Sequence, residues 1–379
     1  MKQPSHKPKA KFQDGLSLIE LMISITIGLL ILASLSTLFI NQSRTRVELD
    51  KSNRMIDNGR YAMELLSGNL RLAGYYDNYS PYPIITMPTA LYDPCDVTSL
   101  VSSALNSDIL SVPVQGYDAT LSGATSQITS PPCSLTYATG TDHALQPGSD
   151  ILVVRRASTA VAASPINGRV YLQVSMCQTD TAVPPNNYQV ASAPAAVGVS
   201  FTNMHKRNCT NAGALPGDGY ADLREFMVLT YFVSPYNKVG DGIPTLKQID
   251  QYNNVTPLVE GIEYMQVDYG IDGDTNGDGI TDTNLTGKPS SYLTTCPSTN
   301  VGCWTNVVAV RINIVARNSE ATTGWSDSKT YSLGLAGSVG PFNAAPYNTG
   351  PNPKLENYKR HAYTQVIRLV NPASRRDTP

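Results

Sequence analysis

The sequence has little charge and none of the short motifs that mark common enzymes. Charged residues are 15% of the 379 residues, and the net charge at pH 7 is −2. There is no His-Glu-x-x-His, Gly-x-Ser-x-Gly or phosphate-cradling glycine loop, so the signatures of zinc proteases, serine hydrolases and nucleotide-binding enzymes are missing. The charge balance also gives no basic excess of the kind that nucleic-acid binding needs. We therefore expect a protein that is not an enzyme and shows no direct nucleic-acid binding.

A single long apolar run stands near the amino terminus. Residues 16–40 contain one ionisable side chain, Glu20, and follow a leader that carries four lysines. At about 1.5 Å per helical residue, about 25 residues span a bilayer. The lysines predict a cytoplasmic leader, which puts the rest of the chain beyond the membrane. No Ala-x-Ala-like site follows Ile40, so cleavage by an ordinary signal peptidase is not predicted.

Glu20 is the chemically distinctive residue of this run. A carboxylate within a membrane-inserted helix costs about 2.5 to 3.5 kcal/mol on insertion scales, which favours a functional partner. Cleavage between Gly15 and Leu16 would leave the apolar run in place and create a new amino terminus. We expect Glu20 to pair with the amino terminus of a neighbouring subunit and to set the register between subunits. The alternative is an uncleaved single-span anchor with Glu20 at the level of the lipid headgroups.

The helix is predicted to continue past the membrane. No proline occurs between Asn41 and Gly74, and apolar residues recur every three or four positions opposite charged ones. One stripe should therefore pack on a globular domain, with the helix ending near Ala73. Gly59, Gly68 and Gly74 weaken the helix by about 1 kcal/mol each relative to alanine, so tertiary contacts must support it. A free coiled coil is disfavoured because the heptads are irregular.

The remaining chain is rich in tyrosine, glycine, proline and small polar residues, a composition typical of a loop-rich β structure. Several β-branched or aromatic runs are bounded by turn-forming residues and are predicted to be strands. Long polar connections separate some of them, for example residues 120–147 and 178–221. The predicted fold class is α+β, with one long helix on an antiparallel sheet that carries large loop-rich insertions. The predicted strands are residues 149–156, 169–174, 227–233, 307–315 and 363–370.

The six cysteines all lie in the part of the chain that is predicted to be outside the cytoplasm. An oxidising compartment favours disulfides there, and six cysteines allow fifteen pairings in principle. Metal binding is the weaker interpretation, because no Cys-x-x-Cys is present. Proximity in the sequence favours Cys95 with Cys133, Cys177 with Cys209, and Cys296 with Cys303.

An acidic, glycine-containing loop extends from Asp272 to Asp282. Its alternate oxygen-bearing side chains are typical of a Ca²⁺ loop, because carboxylates converge where a glycine permits a tight turn. The loop resembles those of dockerins and EF-hands up to its ninth position, but its twelfth position is Leu285 instead of a bidentate glutamate. The alternative is a solvated hairpin without a cation. The expected Ca²⁺ ligands are Asp274, Asn276, Asp278, the carbonyl of Ile280, and Asp282 directly or through water.

The amino-terminal arrangement resembles the class III signal of type IV pilins and pseudopilins. In that family a prepilin peptidase cleaves after the glycine and methylates the new amino terminus, which implies cleavage after Gly15 and methylation of Leu16. The common family pattern has phenylalanine and then threonine after the glycine, whereas this chain has Leu16 and Ser17. Glu20 falls on the acidic position of the family.

Further segments resemble the PilW family of minor pilins, the low-abundance subunits of type IV pili. They are residues 58–66, 70–75, 259–272 and 306–317. The resemblance implies a leader at residues 1–15, an amino-terminal helix at 16–74, and a globular β-rich head at 75–379. Within that helix, residues 16–40 would cross the membrane and residues 41–74 would be amphipathic.

This resemblance also implies a function. The protein would join a priming or tip complex that initiates pilus assembly, and such pili support twitching motility, adhesion and DNA uptake. The implied partners are other minor pilins, the major pilin, a pilus-tip adhesin, the prepilin peptidase and the inner-membrane assembly platform. Its location would be the bacterial inner membrane, with the head in the periplasm, and the extracellular pilus. The alternatives are a minor pseudopilin of type II secretion and a calcium-stabilised tip adhesin.

Overall fold

The amino-terminal apolar run folds as one long helix, α1, at Leu18–Arg71. This computed structural model describes residues 15, 17–81, 88, 90–102, 106–121, 127–180, 187–193, 201–211, 218–282, 284–298, 300–345, 347 and 354–376. By its internal contacts the chain divides into two units, Met1–Lys51 and Ser52–Pro379. The first unit contributes the apolar part of α1, and the second contains the rest of α1 and all the strands described below.

In the second unit, α1 buries the stripe that its apolar periodicity predicts. Seven of its residues are buried at spacings of one, three or four positions, which is one face of a helix. The helix ends at Arg71, close to the predicted end at Ala73. The buried residues are Met55, Gly59, Ala62, Met63, Leu66, Ser67 and Leu70.

The first of two large sheets has seven antiparallel strands in the order β1-β2-β5-β3-β4, with β6 on β5 and β7 on β6. The twelve-residue β5 is long enough to pair with both β3 and β6 beside β2. The short helices α2 and α3, at Val97–Leu100 and Asn106–Ser111, precede it. The strands are β1 Val114–Tyr117, β2 Ile151–Ala157, β3 Val170–Val174, β4 Tyr188–Ser192, β5 Leu223–Ser234, β6 Thr245–Asp250 and β7 Val255–Glu260.

The second sheet has four antiparallel strands in the order β13-β10-β8-β9. A two-stranded ribbon, β11 with β12, lies between β10 and β13 in the sequence, and the short helix α4 at Val370–Ser374 follows. The strands are β8 Ile262–Ile271, β9 Ser291–Leu293, β10 Val307–Arg317, β11 Tyr331–Ser332, β12 Ser338–Val339 and β13 Arg360–Arg368.

Gly261 joins the two sheets. It lies between β7 and β8, and its N–H donates to the Pro244 carbonyl at 2.7 Å while its own carbonyl accepts from Arg317 N–H at 2.7 Å. Its φ of 80° is favoured only for glycine, and an added Cβ would lie 2.7 Å from the Arg317 carbonyl oxygen. A single residue therefore connects β7 of one sheet to β10 of the other.

The largest core cluster lies between α1 and the two sheets. It combines the buried stripe of α1 with apolar residues of β2 and β5 in the first sheet and of β8 and β10 in the second. The buried stripe of α1 packs against apolar side chains of both sheets. This packing supplies the tertiary support that the glycine-containing helix needs.

The predicted α+β fold class is confirmed, and each of the five predicted strands overlaps a strand of the structure. The prediction of a long connection over residues 178–221 was partly wrong, because β4 lies within it. β1, β6 to β9, β11 and β12 were not among the predicted strands either. All of these except the ten-residue β8 have six residues or fewer, and β7 contains Pro257, a residue that occurs in strands only at edges and bulges.

Candidate functional site

The predicted cleavage junction is only partly described. Gly15 is exposed, whereas Leu16 lies outside the described residues. Immediately after it, Ser17 and Glu20 form a reciprocal capping box: Glu20 Oε2 accepts from Ser17 N–H at 3.0 Å, and Ser17 Oγ accepts from Glu20 N–H at 3.3 Å. The box satisfies first-turn N–H groups of α1 and engages one carboxylate oxygen of Glu20. The docking role of Glu20 stays a prediction.

The apolar part of α1 presents its side chains outward. The large apolar residues from Leu18 to Ile40 are 48% to 77% exposed. The helix is long and apolar enough to cross a membrane, as judged by length and composition. Such exposure in water would be strongly unfavourable, and a bilayer removes that cost.

A close contact fixes the other part of α1 on the second sheet. The ring of Tyr363 in β13 lies against Gly59, where an added Cβ would overlap it. Tyr363 Oη donates to the Ile56 carbonyl of the helix at 3.2 Å. Gly59 weakens the helix locally, but a larger residue would not fit there because the Tyr363 ring approaches the helix backbone.

Asp272 and Asp274 of the acidic loop are buried and already hydrogen-bonded. Asp274 accepts from Gly277 N–H at 2.7 Å, Gly279 N–H at 3.0 Å and the Ser291 hydroxyl at 2.8 Å. Burial alone would raise the pKa of Asp274, but these hydrogen bonds outweigh it and lower the pKa below its ordinary value. Backbone amides therefore stabilise the first carboxylate of the loop.

The other predicted calcium ligands are exposed. Asp278 accepts from Ile280 N–H at 2.8 Å, Asp282 accepts from Thr275 N–H at 3.0 Å, and Asn276 donates to Asp278 at 3.1 Å. The loop joins β8 to β9, which pair antiparallel, so it has the topology of the hairpin alternative. Its carboxylate, amide and carbonyl oxygens are of the type that Ca²⁺ prefers.

The structure does not bring three acidic groups of this loop together. Among the described residues, the only His, Cys, Asp and Glu ligand atoms that form a group of three within 4.8 Å belong to Asp93, Cys95 and Cys133. Two of those three are sulfur atoms of one disulfide, so that group is not a metal site. Calcium binding at residues 272–282 stays a prediction.

The cysteines pair as sequence proximity favours. The disulfides are Cys95–Cys133, Cys177–Cys209 and Cys296–Cys303, with Cα–Cα distances of 5.1, 5.1 and 5.8 Å. The third lies beside the acidic loop, because Asn300 Nδ2 donates to the Gly279 carbonyl at 2.7 Å. This disulfide and the loop are therefore parts of one local structure between β8 and β10.

A buried cluster of charges, which the sequence did not reveal, joins three strands of the second sheet. Arg360 of β13 lies 3.0 Å from Asp327 and 2.5 Å from Glu263 of β8, and Arg317 of β10 lies 3.3 Å from the same glutamate. Burial alone would raise the pKa of Glu263, but the two arginines outweigh it and hold the pKa below its ordinary value. Each of these three strands contains two charged residues, and the sequence alone does not show which of them pair.

One Ser-Asp-His grouping lacks the geometry of a catalytic triad. Asp180 stands in the middle: it accepts from the Ser175 hydroxyl and lies 2.9 Å from His205 Nδ1. A serine nucleophile needs its hydroxyl on the histidine, and here the carboxylate takes it. The hydrogen bond to Asp180 raises the pKa of His205, and the contact lies within the segment that the Cys177–Cys209 disulfide closes.

Two family models match the chain. The model of type IV pilus-assembly protein W, PilW, matches residues 230–371, and the prokaryotic N-terminal methylation motif matches residues 11–36. No curated protein and no solved structure matches significantly. The PilW match covers the second sheet with β6 and β7, and the methylation motif covers Gly15, Glu20 and the start of α1. These two matches and the apolar amino-terminal helix support a PilW-like type IV minor pilin that is anchored in the inner membrane and assembled into an extracellular pilus.

Proposed function

We propose that this minor pilin joins the priming complex at the pilus tip and initiates pilus assembly. One observation carries the proposal: a prepilin motif at residues 11–36 and a PilW region at residues 230–371 occur on one helix-and-sheet chain. A head of about 300 residues is large for a subunit that repeats along a shaft, and this favours a tip position. The partners would be other minor pilins, the major pilin below and a tip adhesin above.

The amino terminus would perform the assembly step. Prepilin peptidase would cleave after Gly15 and methylate Leu16, and the assembly platform of the inner membrane would extract the helix. Glu20 would pair with the amino terminus of the neighbouring subunit, which neutralises both charges in a medium where a lone charge is costly. Its bond to Ser17 N–H engages only one of the two carboxylate oxygens, so the other could accept the partner.

The test is the amount of surface pilin that is sheared from cells lacking this gene, with and without an active retraction motor. A priming subunit predicts loss of pili that is partly rescued when retraction is blocked, because assembly becomes inefficient without becoming impossible. Glu20→Ala should reproduce the loss, and Glu20→Asp should retain pili in part. Normal pili in the deletion strain in both backgrounds would overturn the proposal.

The same strain separates the alternatives. A minor pseudopilin of type II secretion would leave pili intact and abolish export of a secreted enzyme. Loss of a tip adhesin would leave pili assembled but unable to attach to a surface. The purified head of such an adhesin would bind that surface without the other subunits. Twitching motility, adhesion and DNA uptake would all fall together if the defect is in pilus assembly.

We also propose that the loop at residues 272–282 binds Ca²⁺ through Asp274, Asn276, Asp278, the Ile280 carbonyl and Asp282. The donor chemistry supports this, and the exposed side chains of Asn276, Asp278 and Asp282 would rotate toward Asp274 to complete the site. Added CaCl₂ should raise the thermal midpoint of the full chain relative to EDTA. Asp278→Ala should remove that increase and the exposed control Asp57→Ala should keep it, whereas equal midpoints with and without calcium would exclude the site.

A further inference from the structure

The outer edge of β13 is the longest open strand edge in the described part of the chain. β13 spans nine residues, lies at the end of its sheet and pairs with β10 there. Its register with β10 runs through nine consecutive pairs without a bulge. The strand contains no proline, glycine or lysine. Natural proteins usually blunt such edges with charge, proline or bulges, so an intact edge of this length needs an explanation.

Backbone groups of three β13 residues point away from β10. Leu369 N–H donates to the Val308 carbonyl at 2.9 Å, which identifies the odd-numbered residues of this strand as the ones bonded inward. Inward and outward residues alternate in an antiparallel ladder. The N–H and C=O groups of Ala362, Thr364 and Val366 therefore face outward, and the described residues offer them no partner.

The other strand edges are short or interrupted. β7 carries Pro257, and its pairing with β6 has a register shift. β1, β4 and β9 are four, five and three residues long. Only β13 among the described edges offers three successive outward residues without such an interruption, and it offers an exposed apolar side chain as well, since Val366 is 55% exposed.

A groove with a basic excess runs beside this edge. Arg60, Glu64 and Arg71 of α1 line it together with Tyr363 and other residues of β13. Both arginines are exposed, and no carboxylate of the described residues lies within 4.0 Å of either. An added strand would lie next to these two unpaired cations, so acidic side chains on it would be favoured.

We propose that an extended acidic segment of another pilus subunit pairs with the outer edge of β13 as a fifth strand of the second sheet. Main-chain hydrogen bonds would give the affinity, and carboxylates facing Arg60 and Arg71 would give the selectivity. A second copy of this chain is a poorer occupant, because its own β13 edge would bring the same arginines together. The inference rests on the proposed function, which supplies other subunits as partners.

The first experiment places a photoreactive amino acid at Val366 of the full-length protein in piliated cells. A matched probe at Val161, which is similarly exposed at 51% and lies outside the second sheet, reports background reactivity. We expect an adduct at Val366 that maps to an acidic extended segment of another pilin. Yield no higher than that at Val161, or an adduct with a second copy of this chain, would overturn the proposal.

Charge reversal tests the selectivity. Arg60→Glu with Arg71→Glu should lower the adduct yield at Val366 by about tenfold, because two attractive contacts become repulsive. Each single reversal, Arg60→Glu or Arg71→Glu, should also lower the yield, whereas Arg54→Glu, one reversal at an exposed helix position that does not line the groove, should leave it unchanged. Equal losses in the three single variants would mean that the groove has no specific role.

A proline tests the backbone pairing. Thr364→Pro removes one outward N–H, and Thr364→Val keeps it while losing the same side-chain bond to Asn313. If the two variants have equal thermal midpoints and are therefore equally folded, only the proline variant should lose the adduct at Val366. Equal adduct yields in both variants would exclude strand addition. The outcome is separable from the proposed function, because an adduct with a secretion pseudopilin would refute priming of a pilus and leave strand pairing intact.

Discussion

Residues 230–371, which match the PilW family, and residues 75–222, which do not, are held together in different ways. The matched region contains, beside shorter strands, three strands of nine to eleven residues and the buried cluster around Glu263. The other region has strands of four to seven residues and two disulfides that link positions 38 and 32 residues apart. Long strands satisfy their own backbone groups, whereas a loop-rich region gains more when cross-links restrict its unfolded chain.

Removal of Arg360 should give the largest loss of stability. Its side chain is fully buried between Glu263 and Asp327, so Arg360→Ala would leave buried carboxylates without their cation and cost about 3 to 5 kcal/mol of unfolding free energy. Arg169→Ala breaks an exposed pair with Glu225 and should cost less than about 1 kcal/mol. Chemical denaturation of the full chain measures both, and similar losses would erase the contrast between the two regions.

Removal of a disulfide should destabilise the protein more in residues 75–222 than in residues 230–371, the reverse of what is expected for removal of a charge pair. Cys95→Ser with Cys133→Ser opens a loop of 38 residues, for which chain entropy predicts a loss of about 4 kcal/mol. Cys296→Ser with Cys303→Ser in the matched region opens a loop of seven, for which the same relation predicts about 2.5 kcal/mol. Chemical denaturation of the two double variants measures both losses of unfolding free energy. A larger loss from the shorter loop would contradict the entropic account.

Substitution of two glycines of α1, Gly59 and Gly68, should change the stability of the protein in opposite directions. Gly59→Ala would force its Cβ into the Tyr363 ring and should destabilise the protein by about 1 to 3 kcal/mol. Gly68→Ala meets no atom within 4 Å and should stabilise it by about 1 kcal/mol through helix propensity. Opposite shifts of the thermal midpoint are expected, and a loss at both positions would mean that the helix is strained elsewhere.

The smallest effect should come from pH in the unmatched region. Because the bond to Asp180 raises the pKa of His205 in the folded state, its contribution is fully present below the unfolded pKa of about 6.5 and disappears as pH rises through the folded value. Hydrogen exchange at residues 201–211 should therefore accelerate more between pH 6 and pH 8, after correction for intrinsic rates, than in His205→Gln. The same acceleration in the variant would exclude this histidine.

Local patterns predicted much of this molecule, and nonlocal pairing explains what they missed. The α1 stripe, five strands and three disulfides follow from periodicity, β-branched runs and proximity in the chain. The cluster of Glu263, Arg317 and Arg360 was not predictable, because it forms only when three distant strands become neighbours. In the acidic loop, the spacing of oxygen-bearing residues does not reveal that the backbone amides of Gly277 and Gly279 bind Asp274 in the fold.

Gly261 has a mechanical consequence for the connection between the two sheets. Its N–H bonds to Pro244, the residue before β6 of the first sheet, and its C=O bonds to Arg317 of β10 in the second sheet, so a force that separates the sheets would strain both hydrogen bonds at once. Bonds that break together resist pulling better than bonds that open one after another. A side chain at this position would meet the Arg317 carbonyl. Glycine is therefore required at the point where tension would pass between the two sheets.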